Sequence, residues 1–435
     1  MPIGEIRLHN ANLQARFDWQ GSPASEPPVT IPFNVRGVNV IGGVLEKVGL
    51  SLVHFDPEKL IRQAQKETGL DRFPEIDWRT PFEKLMIGYN RESNLSLVGR
   101  LFAKEMTLLS LRTMLTNQAE FDRHPEVFEV SIERPLIIVA PSRSGSTFLH
   151  KLLASHPDAR SPRLWELQTP CPPPRPDIDQ SDPRIRSCQE KFDRFFSLLP
   201  DFRKIHDLQP LEPDECMHIF RGIFMCRLSF SVPCDVPTYQ EWVDRADFDP
   251  AYRYYKKVLR SLSLNFPGKR MILKSPTHIL TLAELINVFP DAGIVMLHRD
   301  PRVTAASRCS LCEAARMFLT NDYDLEAIGH LWRSNWAPAL NRVSEIRSNF
   351  SKTWFYDVDY HRLITDPVKT ARDIFETFGF RYDGEVETRL RNWLVDHPKE
   401  KYGSHRYSLE RYRLSSRKVL GAVEPYLSAF DLKYD

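Results

Sequence analysis

A glycine-containing loop after a short apolar run is the strongest candidate for anion chemistry in this sequence. The run IIVA leads into PSRSGST (141–147), and a helical pattern follows from the end of this loop to Ala154. Unpaired N–H groups at a helix amino terminus favour an anion, and Gly145 lets the backbone approach it closely. Arg143 adds a planar, permanently charged fork. The hydroxyl donors of the loop are Ser144, Ser146 and Thr147. We therefore expect a phosphate or sulfate site here, the alternative being a plain strand-to-helix turn with hydroxyl caps.

A second candidate anion site follows the apolar run AGIVMLH and reads RDPRVTAASR, residues 299–308. Asp300 and Pro301 are a favourable cap and first residue of a helix, so they need no functional explanation. Arg299 would stand at the carboxyl edge of a strand, where open α/β sheets bind ligands, and Ser307 about two turns into the helix. On their own Arg299 and Ser307 are weak evidence for a binding site, but together with the first loop they indicate two anion sites.

These loops do not match the common nucleotide-triphosphate motifs. The loop at 141–147 has neither the first glycine nor the lysine of G-x-x-x-x-G-K-[ST], which weighs against ATP and GTP. The HRD that begins at His298 is similar to the protein-kinase catalytic loop, but residue 305 is alanine where that motif needs asparagine. No G-x-G-x-x-G loop accompanies it, so a protein kinase is excluded.

Alternating strand and helix patterns must position these loops. PLIIVA (135–140), RMILK (270–274) and AGIVMLHR (292–299) are short apolar runs typical of buried parallel strands, and each precedes a helical pattern. FYDVDYHRLITDP predicts one more strand that leads into a helix. The expected fold is a three-layer α/β fold with a central parallel sheet.

The first part of the chain has a different pattern. Its apolar residues recur at three and four, notably over 57–69 and 96–121, which predicts helices without chemistry-bearing motifs. We expect an amino-terminal helical extension over 1–128, packed on a core domain over 129–435. The proline-rich segment 169–183 is expected to be an ordered loop or lid.

Together, PSRSGSTFLHKLL and HRDPRVTAASR resemble the two signature segments of sulfotransferases that use 3'-phosphoadenosine 5'-phosphosulfate (PAPS). The resemblance is strongest over 134–310 and recurs in YHRLITDP, while the amino-terminal third looks like the helical leader of a bacterial-type subgroup. It implies a fold related to P-loop kinases and transfer of a sulfuryl group from PAPS to a hydroxyl or amine, with release of 3',5'-ADP and without a metal. The first segment would then hold the phosphosulfate, and Arg299 and Ser307 the 3' phosphate. Cytosolic members have lysine where this chain has Arg143, and the arginine is similar to Golgi tyrosyl-protein and bacterial enzymes.

Sulfuryl transfer needs positive charge over the transferred group and a base for the acceptor proton. Arg143 and Lys274, which ends RMILK and matches the family's catalytic lysine, are the expected cationic pair. Glu166, in RLWEL, is the first candidate for the base, because related enzymes carry a glutamate at about this distance; a structural salt bridge is the alternative. His278, in KSPTHIL, is the second candidate and Glu215, in EPDEC, the third.

Recognition of adenosine and acceptor is less defined by the sequence. Tyr360 and Tyr407 are candidates for adenosine contacts, although aromatic residues are more often core. Segments 168–185 and 202–245 are expected to line the acceptor site, and their apolar and aromatic content suggests a lipid-like or aromatic small molecule, with ordinary core as the alternative. A small-molecule kinase and a catalytically silent nucleotide binder remain alternative functions, and the oligomeric state is open.

Composition bears on the partners of the protein, its location and the state of its cysteines. The chain has 59 basic and 57 acidic residues, so no overall field attracts nucleic acid, and the arginine-rich segment 404–418 is interrupted by glutamate. No stretch approaches the ~20 apolar residues of a membrane span, and the amino terminus lacks a secretory pattern, which favours a cytoplasmic protein. The seven cysteines lack framework spacing, and Cys309 and Cys312 have no second pair for zinc, so free thiols are expected.

Overall fold

Five parallel strands form the centre of the computed structural model, which describes residues 27–50, 52–178, 180–206, 208–350, 354–397 and 408–434. The strands are β1 (Leu136–Val139), β2 (Ala159–Arg160), β3 (Arg270–Lys274), β4 (Gly293–His298) and β5 (Trp354–Asp359). Their order across the sheet is β2-β3-β1-β4-β5, and every neighbouring pair is parallel. β1 therefore lies at the middle of the sheet and leads into the loop at 141–147, which we call the phosphate loop after its predicted ligand.

The helices fall into four groups along the chain. The first group precedes the sheet and comprises α1 (Phe33–Lys47), α2 (Pro57–Thr68), α3 (Arg79–Arg91) and α4 (Leu97–Arg123). The helices between β1 and β3 are α5 (Ser146–Ala154), α6 (Leu164–Gln168), α7 (Pro183–Leu198), α8 (Phe202–Ile205), α9 (Met217–Gly222), α10 (Pro237–Arg245) and α11 (Asp249–Ser263). Those between β3 and β5 are α12 (Leu282–Val288), α13 (Pro301–Leu319) and α14 (Leu325–Asn349). The last group is α15 (Tyr360–Thr365), α16 (Pro367–Thr377), α17 (Gly384–Asp396), α18 (Ser416–Ala422) and α19 (Glu424–Ala429).

Alternation along the strands produces the three layers. Ile137 and Val139 of β1 belong to one hydrophobic cluster, and Leu136 and Ile138 to a second cluster on the opposite face. Successive strand side chains point to opposite faces, so a strand that is apolar at every position needs a covering layer on both. The predicted three-layer α/β fold with a central parallel sheet is confirmed.

The amino-terminal helices pack into the larger of these two clusters. Leu111, Met114 and Leu115 of α4 are fully buried and share the cluster with β1 and β3. Gly99 allows α4 to cross close to the end of α13, since a Cβ there would collide with the Leu319 carbonyl. The division into 1–128 and 129–435 stays a prediction.

Most of the predicted strands and helices are present in the described residues. β1, β3, β4 and β5 lie where strands were predicted, whereas the two-residue β2 has no pattern that would reveal it. The helices expected over 57–69 and 96–121 are α2 and α4, with Asp56 and Ser96 as side-chain caps. All seven cysteines are free and buried. No helix within the described ranges has the length and apolarity needed to cross a membrane.

Candidate active site

The loop between β1 and α5 has a backbone that glycine makes possible. Gly145 has a φ of 91° and Arg143 a φ of 70°, both in the left-handed region. A Cβ on residue 145 would lie 2.8 Å from the ring of Tyr360, so glycine is needed for space as well as for conformation. α5 begins at Ser146, one residue earlier than predicted, and its first N–H groups are available to an anion.

The two predicted anion segments meet at the carboxyl ends of β1 and β4. Arg143 donates from Nε to Ser307 Oγ at 3.0 Å, and Arg299 donates from Nη1 to the Arg143 carbonyl at 2.8 Å. The Arg299 guanidinium also lies 3.9 Å above the ring centroid of Tyr360, which follows β5. Neighbouring parallel strands end at the same edge of the sheet, which explains why segments 156 residues apart meet there.

Several polar atoms of this cluster are buried without a protein partner. Among the described residues, Ser144 Oγ, Ser142 Oγ and Arg299 Nε have no hydrogen-bond partner. Buried polar atoms are usually satisfied, so three unpartnered ones in a cluster that carries two guanidinium groups are consistent with a site that an anionic ligand completes. The predicted donor-binding residues therefore form one cationic cluster whose chemistry fits phosphate groups.

Lys274 connects this loop to a carboxylate. Its side chain is 2% exposed, and its Nζ lies 2.7 Å from Glu215 Oε1 and 3.2 Å from Thr147 Oγ1. β3 is hydrogen-bonded to β1, so the end of β3 lies beside the start of the phosphate loop. The backbone N–H of Cys216 donates to the Lys274 carbonyl at 2.9 Å, which holds the segment of Glu215 against the strand end.

Three ionisable residues near Glu215, the third candidate for the base, were not identified by sequence reasoning: Asp214, His206 and His218. Asp214 accepts a hydrogen bond from the Glu215 N–H at 2.5 Å, and its Oδ1 lies 3.5 Å from His218 Nε2. Burial acts to raise the pKa of Asp214, but the hydrogen bond and charge of His218, with the charges of His206 and Lys274, hold that pKa well below its usual range. Burial lowers the pKa of His206, despite the opposing effect of Asp214 and Glu215.

Glu166, the first candidate for the base, has a structural environment. It is 1% exposed, and its Oε2 accepts from Arg160 Nη2 and from the Arg163 N–H, both at 2.8 Å. The second contact closes a capping box at the start of α6. Both bonds hold Oε2, which favours the salt-bridge interpretation, while Oε1 is buried without a hydrogen-bond partner among the described residues. The role of Glu166 as base stays a prediction.

His278 and His150 are also enclosed. His278 Nδ1 lies 2.9 Å from the Tyr252 hydroxyl within a group of aromatic rings, and His150 Nε2 lies 3.2 Å from the Ile272 carbonyl. Burial first, and then the charge of Lys274, lowers the pKa of each histidine to about 3. Such a weak base removes a proton poorly, so these contacts argue for structural roles.

Comparison with known proteins decides the family. The family model described as "Sulfotransferase family" matches residues 135–384, more than half of the chain. The chain belongs to the sulfotransferase family. The match begins beside β1 and includes both anion segments, Lys274 and Tyr360, and it decides against the small-molecule kinase.

Relatives of this sulfotransferase include mycobacterial proteins. It is 26% identical over 295 residues to omega-hydroxy-beta-dihydromenaquinone-9 sulfotransferase Stf3 of Mycobacterium bovis, covering 65% of this chain and 72% of the relative. The crystal structure of sulfotransferase STF1 from Mycobacterium tuberculosis H37Rv superposes with a TM-score of 0.76 at 29% identity, covering 85% of this chain and 98% of that one. For sulfotransferase STF9 from Mycobacterium avium, the TM-score is 0.78 at 26% identity, with coverage of 87% and 98%.

Two further expectations about the sulfotransferase site remain predictions. Tyr407 lies outside the described residues. Within the described ranges, no group of three or more histidine, cysteine, aspartate or glutamate side chains could hold a metal ion. Metal-independent chemistry is not tested by that finding.

The buried histidines should make the stability of this sulfotransferase depend on pH. The pKa of His150 and of His278 is about 3 in the folded state and about 6.5 in an unfolded chain, so the unfolded state binds more protons between these values. The free energy of unfolding should therefore fall as pH falls below 6.5, by about 1.4 kcal/mol per histidine at pH 5.5. Urea midpoints at pH 7.5 and 5.5 should show a smaller difference for His278→Gln than for the wild type.

The exposed His330→Gln is the matched control for this measurement. It should retain the wild-type difference between the two pH values. An equal pH dependence in His278→Gln and the wild type would show that His278 is not held neutral by burial.

Proposed function

We propose that this sulfotransferase takes the sulfuryl group from PAPS and transfers it to a hydroxyl group on an apolar small molecule, releasing 3',5'-ADP. The observation that carries the proposal is the position of the Lys274 ammonium, within hydrogen-bonding distance of both the phosphate loop at Thr147 and the carboxylate of Glu215. One buried cation thus adjoins both the expected leaving group and a candidate base.

The donor site would be divided between the two anion segments. The loop N–H groups, Ser144, Ser146, Thr147 and Arg143 would hold the 5' phosphosulfate end. Arg299 and Ser307 would hold the 3' phosphate, and Tyr360 would lie near the adenosine. The buried, unpartnered Ser144 Oγ and Arg299 Nε support this division, because ligand phosphate oxygens would supply their missing partners. The hydrogen bond from Arg143 to Ser307 keeps the two halves at a fixed separation.

PAPS would supply an activated sulfuryl group whose leaving group is the 5' phosphate of 3',5'-ADP. Arg143 and Lys274 would stabilise the negative charge that develops on the bridging oxygen as the bond from sulfur to that oxygen breaks. The acceptor oxygen forms the new bond to sulfur, and its proton passes to a carboxylate. Apart from this carboxylate, the transfer needs only orientation and fixed charge from the protein.

Glu215 is the base that we propose. It is partly exposed, with its side chain 17% accessible, and adjoins Lys274, whereas Glu166 is 1% exposed and bonded to Arg160 and the Arg163 N–H. A base must come within hydrogen-bonding reach of the proton it removes. The ion pair with Lys274 orients the Glu215 carboxylate, and Asp214 adds an acceptor for its backbone N–H.

An apolar acceptor is supported by one of the relatives. The Mycobacterium bovis relative carries the name of a lipid-like menaquinone derivative. We therefore place the acceptor class among hydroxylated, chain-like apolar molecules.

Arg299→Ala tests the donor assignment. It should weaken binding of 3',5'-ADP by about 10- to 100-fold, the loss expected for a charge-assisted contact to phosphate. Binding of 5'-AMP, which lacks the 3' phosphate, should change little. Isothermal titration of wild type and variant with both nucleotides measures these losses, and the loss for 5'-AMP is the control for the loss for 3',5'-ADP. An equal loss for both nucleotides would refute the assignment of Arg299 to the 3' phosphate.

A further inference from the structure

The first helix presents an apolar face to solvent. Eight of the sixteen large hydrophobic residues that are exposed in the described part of the chain lie between residues 33 and 52. Phe33 is 89% exposed, Val40 66% and Val44 58%. Scattered exposed hydrophobic residues are normal, but a concentration on one short segment indicates a contact surface.

Five of these eight residues form one stripe along α1, which ends one residue before Val48. Phe33, Gly37, Val40, Ile41, Val44 and Val48 follow the spacing of three and four that places side chains on one side of a helix. The opposite side is the one packed on the protein: Val35 is buried, Gly42 faces Leu97, and the Asn39 side chain accepts a hydrogen bond from the Val98 N–H at 3.1 Å. The stripe is therefore not a core face turned outward by loose packing.

The rim of the stripe is cationic. Arg36 and Lys47 are exposed and lie at helical positions that flank the stripe on the same side. The charged residues of 27–53 are Arg36, Lys47 and Glu46, a net charge of +1. An apolar face bordered by basic residues is typical of helices that lie in the interface of a membrane with anionic lipids.

The segment that carries the stripe is connected to the active site. Immediately before α1, the Thr30 N–H donates to Asp201 Oδ2 at 3.1 Å, at the start of α8. At the other end of α8, the Ile205 carbonyl accepts from Arg143 Nη1 at 3.0 Å. The short helix α8 thus contacts the segment before α1 at one end and Arg143 of the phosphate loop at the other.

We propose that the apolar face of α1 binds the surface of a lipid bilayer that contains anionic lipids. The 15 residues of α1 are too few to span a bilayer, so the helix would lie in its plane, with the stripe among the acyl chains and Arg36 and Lys47 at the headgroups. An anionic bilayer complements both the stripe and its rim. Entry of an apolar acceptor beside α8 would follow, and only that consequence rests on the proposed function.

Sedimentation of the full chain with vesicles tests this proposal, using phosphatidylcholine alone and phosphatidylcholine mixed with phosphatidylglycerol. The wild type should bind the mixed vesicles more strongly. The double variant Ile41→Glu, Val44→Glu should lose at least about tenfold in partitioning, because two charges replace apolar groups that would be buried. Val395→Glu, at a 79% exposed position on α17, is the matched control and should bind like the wild type. Lys47→Gln should lose about fivefold, and only on the anionic vesicles.

Each outcome of this experiment bears on the proposal. Failure of the wild type to sediment with either vesicle, or equal binding by wild type and double variant, would overturn it. A wild type that is dimeric by analytical ultracentrifugation and a monomeric double variant would assign the stripe to a second copy and also overturn it. The assay contains no nucleotide or acceptor, and titration with 3',5'-ADP reports the donor site separately. Failure of docking is therefore distinguishable from failure of the proposed function.

Discussion

Glu215→Gln is expected to lower kcat for sulfuryl transfer by about 10²- to 10⁴-fold, the contribution of a positioned general base. Glutamine keeps the shape of the side chain and an oxygen that can accept from Lys274, but it cannot take the acceptor proton at neutral pH. Binding of 3',5'-ADP should change little, since Glu215 faces the acceptor side of Lys274 in the proposed site. Transfer of radiolabelled sulfate from PAPS to a polyprenyl alcohol in detergent micelles measures the rate.

Glu166→Gln is the matched control, because it is the same change at the other candidate glutamate. It removes the buried ion pair with Arg160, which should lower the free energy of unfolding by about 3 kcal/mol or more. Below its unfolding temperature the variant should keep most of its kcat. A large loss of kcat in Glu166→Gln with unchanged stability, together with an active Glu215→Gln, would transfer the role of base to Glu166.

Lys274→Met has the second large effect that we expect, a loss of kcat of about 10²- to 10³-fold. Removal of one preorganised charge from the site of developing negative charge typically costs this much. The methionine side chain preserves most of the volume in a position that is 2% exposed. Single-turnover transfer with saturating PAPS separates the chemical step from donor binding.

Two variants control for the loss of the ion pair. Lys151→Met changes a lysine of α5 that is paired with Glu212 at 3.5 Å, and should leave kcat within a few-fold of the wild type. The double variant Lys274→Met, Glu215→Gln removes both charges, so it should be more stable than Lys274→Met without regaining activity. Recovery of activity in the double variant would show that Lys274 serves only to neutralise Glu215.

The sequence was sufficient to predict that the two anion segments lie together. Apolar runs predicted four of the five strands, and the carboxyl ends of parallel strands share one edge of a sheet. Arg143 and Arg299 follow two such runs directly, so pattern alone placed them near each other. The positive φ of Arg143 and the contact of Gly145 with Tyr360 have no sequence signal beyond the glycine itself.

The candidates for the base could not be ranked from the sequence. Glu215 stands on an irregular segment without periodicity, and a backbone hydrogen bond from Cys216 to Lys274 brings it to β3. Glu166 was the first candidate for its distance along the chain, but its contact with Arg160 depends on how β2 and α6 pack. The pair in EPDEC, Asp214 and Glu215, was the available signal, and only tertiary contacts distinguish a paired carboxylate at the site from one in a cap.

The stripe on α1 could not be predicted from the sequence either. Apolar spacing of three and four predicts a helix and, by default, burial of the apolar side. Here the polar Asn39 and the small Gly42 face the protein, and valine and isoleucine face solvent. The direction of an amphipathic helix depends on its packing partner, which the periodicity does not identify.

Isothermal titration of the purified wild type with 3',5'-ADP, 5'-ADP and ATP with magnesium is the most direct test of the proposed donor site. We expect 3',5'-ADP to bind without added metal and at least tenfold more tightly than 5'-ADP, because Arg299 and Ser307 would contact only a 3' phosphate. Tighter binding of ATP with magnesium than of 3',5'-ADP would contradict the use of PAPS by this sulfotransferase.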